Sequence, residues 1–69
     1  MSGFGAWLAQ FTQVSNAIGD LARDAAADPG WPDGPDELET YTDHLEEADA
    51  SEAALETLAH AWDQYTAGH

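Results

Sequence analysis

The stretch "DPGWPDGPDELE" (Asp28 to Glu39) divides the chain, because it holds all three prolines and two of the six glycines. Pro29 biases Asp28 away from helical backbone, and no regular helix runs through Pro32 and Pro35. Whatever helix precedes Asp28 therefore stops there. The next is expected to start near Asp33 to Asp36, with Pro35 in its first turn, where a missing N–H costs nothing. Between the two lies Trp31, either an exposed recognition aromatic in an acidic loop or a plug folded back on the core and held by Pro32.

Working outward, helical periodicity appears on both sides. In "VSNAIGDLARDAAAD" the apolar stripe is Ile18, Leu21, Ala22 and Ala25. Ser15 or Asn16 can cap this helix, and Val14 ahead of Ile18 has the spacing of a hydrophobic staple. Its alanines allow a neighbouring helix to come close. Arg23 lies between Asp20 and Asp24, so an ion pair is expected there. Earlier, "SGFGAWLAQFTQ" sets Phe4, Trp7, Leu8 and Phe11 on one helical face, with Ser2 as a cap. Gly3 and Gly5 weaken its start, at about 1 kcal/mol each relative to alanine.

After the break, "PDELETYTDHLEEAD" carries Leu38, Tyr41, Leu45 and Ala48 at helical spacing. A last helix is expected to open on a D-x-x-E capping box, Asp49 and Glu52, and to bury Leu55, Leu58, Ala59, Trp62 and Tyr65. Four helices, short connections and no strand signal give an all-α, four-helix domain spanning residues 1–69. The expected core is Phe4, Trp7, Leu8, Phe11, Ile18, Leu21, Trp31, Pro32, Tyr41, Leu45, Leu55, Leu58, Trp62 and Tyr65.

Composition limits what such a domain can do. At 69 residues without cysteine, neither a disulfide nor a thiolate metal site can reinforce a small core. Three Trp, two Tyr and two Phe must supply much of the buried area. One Lys or Arg against 14 Asp and Glu gives a net charge of −13. That repels phosphate, so direct nucleic-acid binding and docking on anionic membranes are both disfavoured. There is no 18-residue apolar run and no basic stretch before the first apolar residues, so neither a membrane span nor a signal peptide is expected, and the cytoplasm is the expected compartment.

The order of these marks resembles the YozE family of small bacterial helical domains. "FGAWL" (Phe4 to Leu8), "DPGWP" (Asp28 to Pro32), Tyr41 and "AWDQY" (Ala61 to Tyr65) carry the likeness over essentially the whole chain. The resemblance implies a SAM-like fold and, by fold analogy alone, nucleic-acid or protein binding; it brings no established activity. Its pattern alternates Phe and Trp at the place of Trp31, which suits a cavity-filling role. Scarcity of Lys and Arg and the short "TQVSN" connection depart from the family.

Candidate sites follow from the charges. Asp36, Glu39, Asp43 and Glu46 recur at 3-4-3 spacing, with Glu37 and Glu47 beside them, so the third helix should carry an anionic ridge opposite Leu38, Tyr41 and Leu45. Such a ridge is either an ordinary solvated face or a contact surface (Asp36, Glu39, Asp43, Glu46 and Glu47) for a protein with a basic surface, and in the second case it could imitate DNA phosphates on a nucleic-acid-binding or defence protein. An EF-hand template fails from Asp28, since Gly30 and Pro32 fall where oxygen ligands are needed. Glu47 lies three after His44 and Glu56 four before His60, but both histidines are offset from the stripes, and with His69 they read as surface residues without a metal. With no Cys, no Lys, no Gly-rich phosphate loop and no recognisable Ser–His pairing, neither catalysis, a cofactor nor a small-molecule substrate is expected.

Overall fold

Four α-helices and no strand occur among residues 3–68, which the computed structural model describes. They are α1 (Gly3–Ala9), α2 (Ala17–Ala27), α3 (Leu38–Glu47) and α4 (Glu52–Ala67). The longest, α4, packs against each of the other three, and α1 also packs against α2. The radius of gyration is 10.7 Å, close to the ~11 Å expected for a folded chain of this length. Self-repulsion among the acids therefore does not expand the fold. The expected cap Ser2, and His69, lie outside the described residues.

The core gathers around Phe4. Its ring centroid lies 4.8 Å from Tyr41, 5.3 Å from Trp62, 5.5 Å from Tyr65 and 5.8 Å from Trp7. Phe4, Leu8, Tyr41 and Leu58 are fully buried, with Leu21, Ala22 and Ala61 beside them. Trp7, Phe11, Ile18, Trp31, Leu38, Leu45, Trp62 and Tyr65 pack around that centre, each half-buried. Full burial of a side chain of this kind contributes about 1.5–3 kcal/mol, so one ring touching four others ties α1, α3 and α4 together. Of the expected core residues, Pro32 and Leu55 are only half-buried and stand outside the cluster. On α4, Ala61 and not Ala59 faces inward; just past α3, Ala48 is exposed.

Helix ends differ from the expected ones, each for a local reason. α1 stops at Ala9, so Phe11 arrives by a tight turn in which its N–H donates to the Leu8 carbonyl at 3.0 Å. The Trp7 carbonyl, which a continuing α-helix would offer to Phe11, instead accepts from the Gln10 side chain at 2.9 Å. Phe11 still reaches Trp7 edge-on, at 4.8 Å. Asn16, not Ser15, caps α2: its Oδ1 accepts from the Gly19 N–H at 2.8 Å. Gly19 is required there, because a Cβ would run into the Val14 carbonyl. Val14 itself, the expected staple, is exposed.

The third helix begins at Leu38, later than expected, with Glu37 extended at φ −133° and ψ 147°. Pro35, in a cis peptide with Gly34, lies ahead of the helix and not in its first turn. The expected Asp49 cap of α4 is also corrected. Asp49 takes a left-handed φ of 63° and closes α3, its N–H donating to the Glu46 carbonyl at 3.1 Å while the Ala50 N–H donates to Leu45 at 2.9 Å. This pair of bonds is a Schellman motif. Having served that turn, Asp49 leaves the cap to Ser51, whose Oγ accepts from the Ala54 N–H at 3.1 Å.

Candidate interaction site

Helical spacing on α3 puts Tyr41 inward and leaves Glu39, Asp43, Glu46 and Glu47 fully on the outside. Residues three and four apart on a helix are neighbours at about 5–6 Å, so these four carboxylates make one continuous anionic row. No ion pair to any of them exists among the described residues. The chain's single arginine is committed elsewhere. Arg23 pairs with Asp20, as the sequence suggests, but not with Asp24; it also donates to the carbonyls of Thr12 at 2.9 Å and Val14 at 3.1 Å. The cation thereby clamps the α1–α2 connection and does not neutralise the ridge.

Asp36, the fifth candidate, belongs to a different structure. It precedes α3, and among the described residues its carboxylate gathers three donors from three elements. Oδ1 accepts from the Phe4 N–H at 3.0 Å and from the Tyr41 hydroxyl at 2.8 Å; Oδ2 accepts from the Tyr65 hydroxyl at 2.6 Å. The Phe4 N–H is one of the orphan donors at the start of α1, so Asp36 caps that helix from 32 residues away. Close approach here requires Gly3, since a Cβ would collide with the Tyr65 hydroxyl. The hydrogen bond to Asp36, helped by burial and by the carboxylate's charge, pushes the Tyr65 phenol above its ordinary pKa. Removing that proton would set two anions against each other.

Trp31 lies flat on Tyr41, with ring centroids 5.6 Å apart and planes 21° from parallel, and meets His44 edge-on at 5.6 Å. It packs against the core, and its indole Nε1 is buried without a hydrogen-bond partner among the described residues. Beside it is a hollow of about 20 Å³, walled by Gly5, Ala9, Ala22, Ala25 and Ala26. That volume holds about one water at most. Trp31 therefore closes the gap between α2 and α3 rather than standing out as bait.

His44 is held by a residue the spacing did not suggest. Its Nε2 lies 2.7 Å from Asp28 Oδ2, while Asp28 Oδ1 accepts from the Gly30 N–H at 2.8 Å. The His44 hydrogen bond first, and the Gly30 N–H second, hold the Asp28 carboxyl below its usual value. The sequence does contain half of this signal, because Asp before Pro-Gly is an Asx-turn former. The partner 16 residues away has no periodic relation to it. The other described histidine, His60, is exposed. Among the described residues no group of three His, Cys, Asp or Glu could hold a metal ion, and no helix is long and apolar enough to cross a membrane.

A family model described as the YozE SAM-like fold matches residues 3–67 of the chain. Neither a curated protein nor a solved structure matches it.

Proposed function

Because the chain belongs to the YozE SAM-like family, in which the likeness supplies a fold and not an activity, we propose that it works by binding and not by catalysis: a small acidic module, acting in the cytoplasm without cofactor or small-molecule substrate, that docks on a protein with a basic surface. One observation carries this reading. Glu39, Asp43, Glu46 and Glu47 form an exposed row along α3 with no counter-ion among the described residues. Each like-charge pair at such spacing costs a few tenths of a kcal/mol, a cost that a basic partner would relieve. A field of this sign also steers basic partners and speeds encounter, in a salt-dependent way. Asp36 is left out of the contact set, since its carboxylate already serves Phe4, Tyr41 and Tyr65.

The test is capture from cell lysate by immobilised wild-type protein and by the E39Q/D43N/E46Q/E47Q variant, at low and high salt. Basic proteins retained by the wild type, released by salt and lost with the variant support the reading. Retention indifferent to the four substitutions would sink it.

A second reading, a DNA mimic that blocks a basic nucleic-acid-binding or defence protein, is favoured by the charge spacing of the same row. From Glu39 to Glu47 the helix rises about 12 Å, so the four carboxylates are spaced about 4 Å apart on average along the axis. A single DNA strand presents one per about 3.4 Å. Competition separates the two readings: duplex DNA displaces the partner of a mimic and leaves another partner bound. Direct nucleic-acid binding is the least favoured, given the net charge of −13. Saturable retention of labelled DNA at low salt would reverse that order.

A further inference from the structure

An extended depression lies between α2 and α4. A groove of about 220 Å³ is bordered by Ala17, Asp20 and Asp24 on α2 and by Ala53, Ala54 and Thr57 on α4, with Leu21 in its floor. It continues into a second hollow of about 250 Å³ between Ile18, His60 and Gln64, the two sharing Ala17 and Thr57. From Ala53 to Gln64 the combined trough follows α4 for about 16 Å, or three helical turns. Small side chains at Ala17, Ala53 and Ala54 keep its walls low, and Ile18 and Leu21 give it an apolar base.

Charge borders the trough on both sides. Asp20 and Asp24 stand one turn apart on α2. On α4 the exposed Glu52, Glu56 and Asp63 occupy the neighbouring helical row, outside Ala53, Thr57 and His60. Arg23, the chain's one Lys or Arg, is held by Asp20 and by the Thr12 and Val14 carbonyls and lines neither hollow.

We propose that this trough is a docking site for a short amphipathic helix of a partner protein, about three turns long, with a Leu/Ala stripe against Ile18 and Leu21 and with Lys or Arg along both flanks. An apolar base between two acidic borders is complementary to that pattern: the stripe enters the groove while cations on its two opposite flanks reach Asp24 on one side and Glu56 on the other. An extended acidic or purely apolar segment has no such match. The proposal rests on the protein's being a binding module, and it adds a face distinct from the α3 row.

The test uses the full chain, ¹⁵N-labelled, and a 14-residue peptide of Leu, Ala and Lys with its apolar residues at helical spacing. A scrambled peptide of identical composition is the control. Saturable shifts at Ala17, Leu21, Ala53 and Thr57, absent with the scrambled peptide, are expected at 0.15 M salt. Ala53→Trp or Ala17→Trp, each checked for an unchanged thermal transition, should abolish binding by filling the groove. D24N/E56Q should weaken it about 2- to 10-fold, the effect of losing two exposed ion pairs. Shifts confined to α3 overturn the groove while leaving the binding-module reading standing. Equal response to the scrambled peptide, or no saturable response, also overturns the groove; the lysate capture with α3 substitutions then judges the wider reading separately.

Discussion

A carboxylate that serves three donors from three elements is worth more to a small domain than its exposed position suggests. Asp36→Ala takes this acceptor from the part-buried Phe4 N–H and from the Tyr41 hydroxyl. Leaving a part-buried backbone donor unpaired costs about 1–3 kcal/mol, so Asp36→Ala should lower the urea midpoint more than any single substitution on the α3 row. Trp31 gives a second contrast. Trp31→Ala removes the face stacked on Tyr41 and should cost about 3 kcal/mol, enough to abolish or nearly abolish cooperative unfolding in so small a domain. Trp31→Phe keeps a ring on Tyr41 and removes the buried, unpartnered indole N–H. The two effects oppose, and its midpoint should lie near that of wild type. A stable, cooperative Trp31→Ala domain would return the loop to the bait reading. The perturbed groups add a pH signature. The Asp28 pKa is lowered, so its contribution is present above the unfolded value of about 3.9 and is lost as pH falls through the folded one. Tyr65 is raised, so its contribution is present below about 10 and is lost as pH rises through its folded value. Asp28→Asn should flatten the acid limb of the stability profile, and Tyr65→Phe the alkaline limb. No change in either limb would contradict the assigned causes.

At the scale of elements, the turn between α3 and α4 is the most informative. Asp49 sits at φ 63°, a region where a side chain costs roughly 1 kcal/mol and glycine nearly nothing. Asp49→Gly should therefore raise stability by about 0.5–1 kcal/mol, and Ser51→Ala should lower it by about 1 kcal/mol through the lost cap. Had Asp49 been the cap of α4, both signs would reverse, so a pair of melting curves decides the matter. This turn also shows which parts of the fold are legible in sequence. The four helices and their buried faces follow from spacing, because Phe4, Leu8, Tyr41 and Leu58 each lie on a stripe of period 3.6. The ends do not follow, since S, D and E crowd Asp49 to Glu52 and several caps are chemically possible. Which one forms depends on the three-dimensional turn. The same holds for sites. The row of Glu39, Asp43, Glu46 and Glu47 is a one-helix pattern and is readable as such. Asp36 fits that pattern equally well by count, yet its partners lie 32, 5 and 29 residues away, and only the fold brings them together.

For the whole molecule, the deciding quantity is a net charge of −13 confined to a body of 27 × 26 × 21 Å. At 0.15 M salt the screening length is about 8 Å, longer than the spacing of neighbours on α3, so repulsion along the row persists under ordinary conditions. The helix dipole sharpens this. Glu39 lies in the first turn of α3, where a negative charge is favourable, whereas Glu46 and Glu47 lie in the last, where it is unfavourable. E46Q/E47Q should therefore stabilise the domain by about 0.5–1 kcal/mol, a rise of roughly 3–6 °C in Tm, and E39Q should give little or none. The gain should shrink in 1 M NaCl, where wild type is itself stabilised by screening. If E46Q/E47Q melted no higher than wild type at low salt, the row would carry no electrostatic strain, and partner binding would have none to relieve. If it melted higher and also lost capture of a basic partner, the same two carboxylates would weaken the free domain and strengthen its complex. That combination distinguishes a binding surface from a merely solvated one, because a solvated face has no reason to lose a partner when it gains stability.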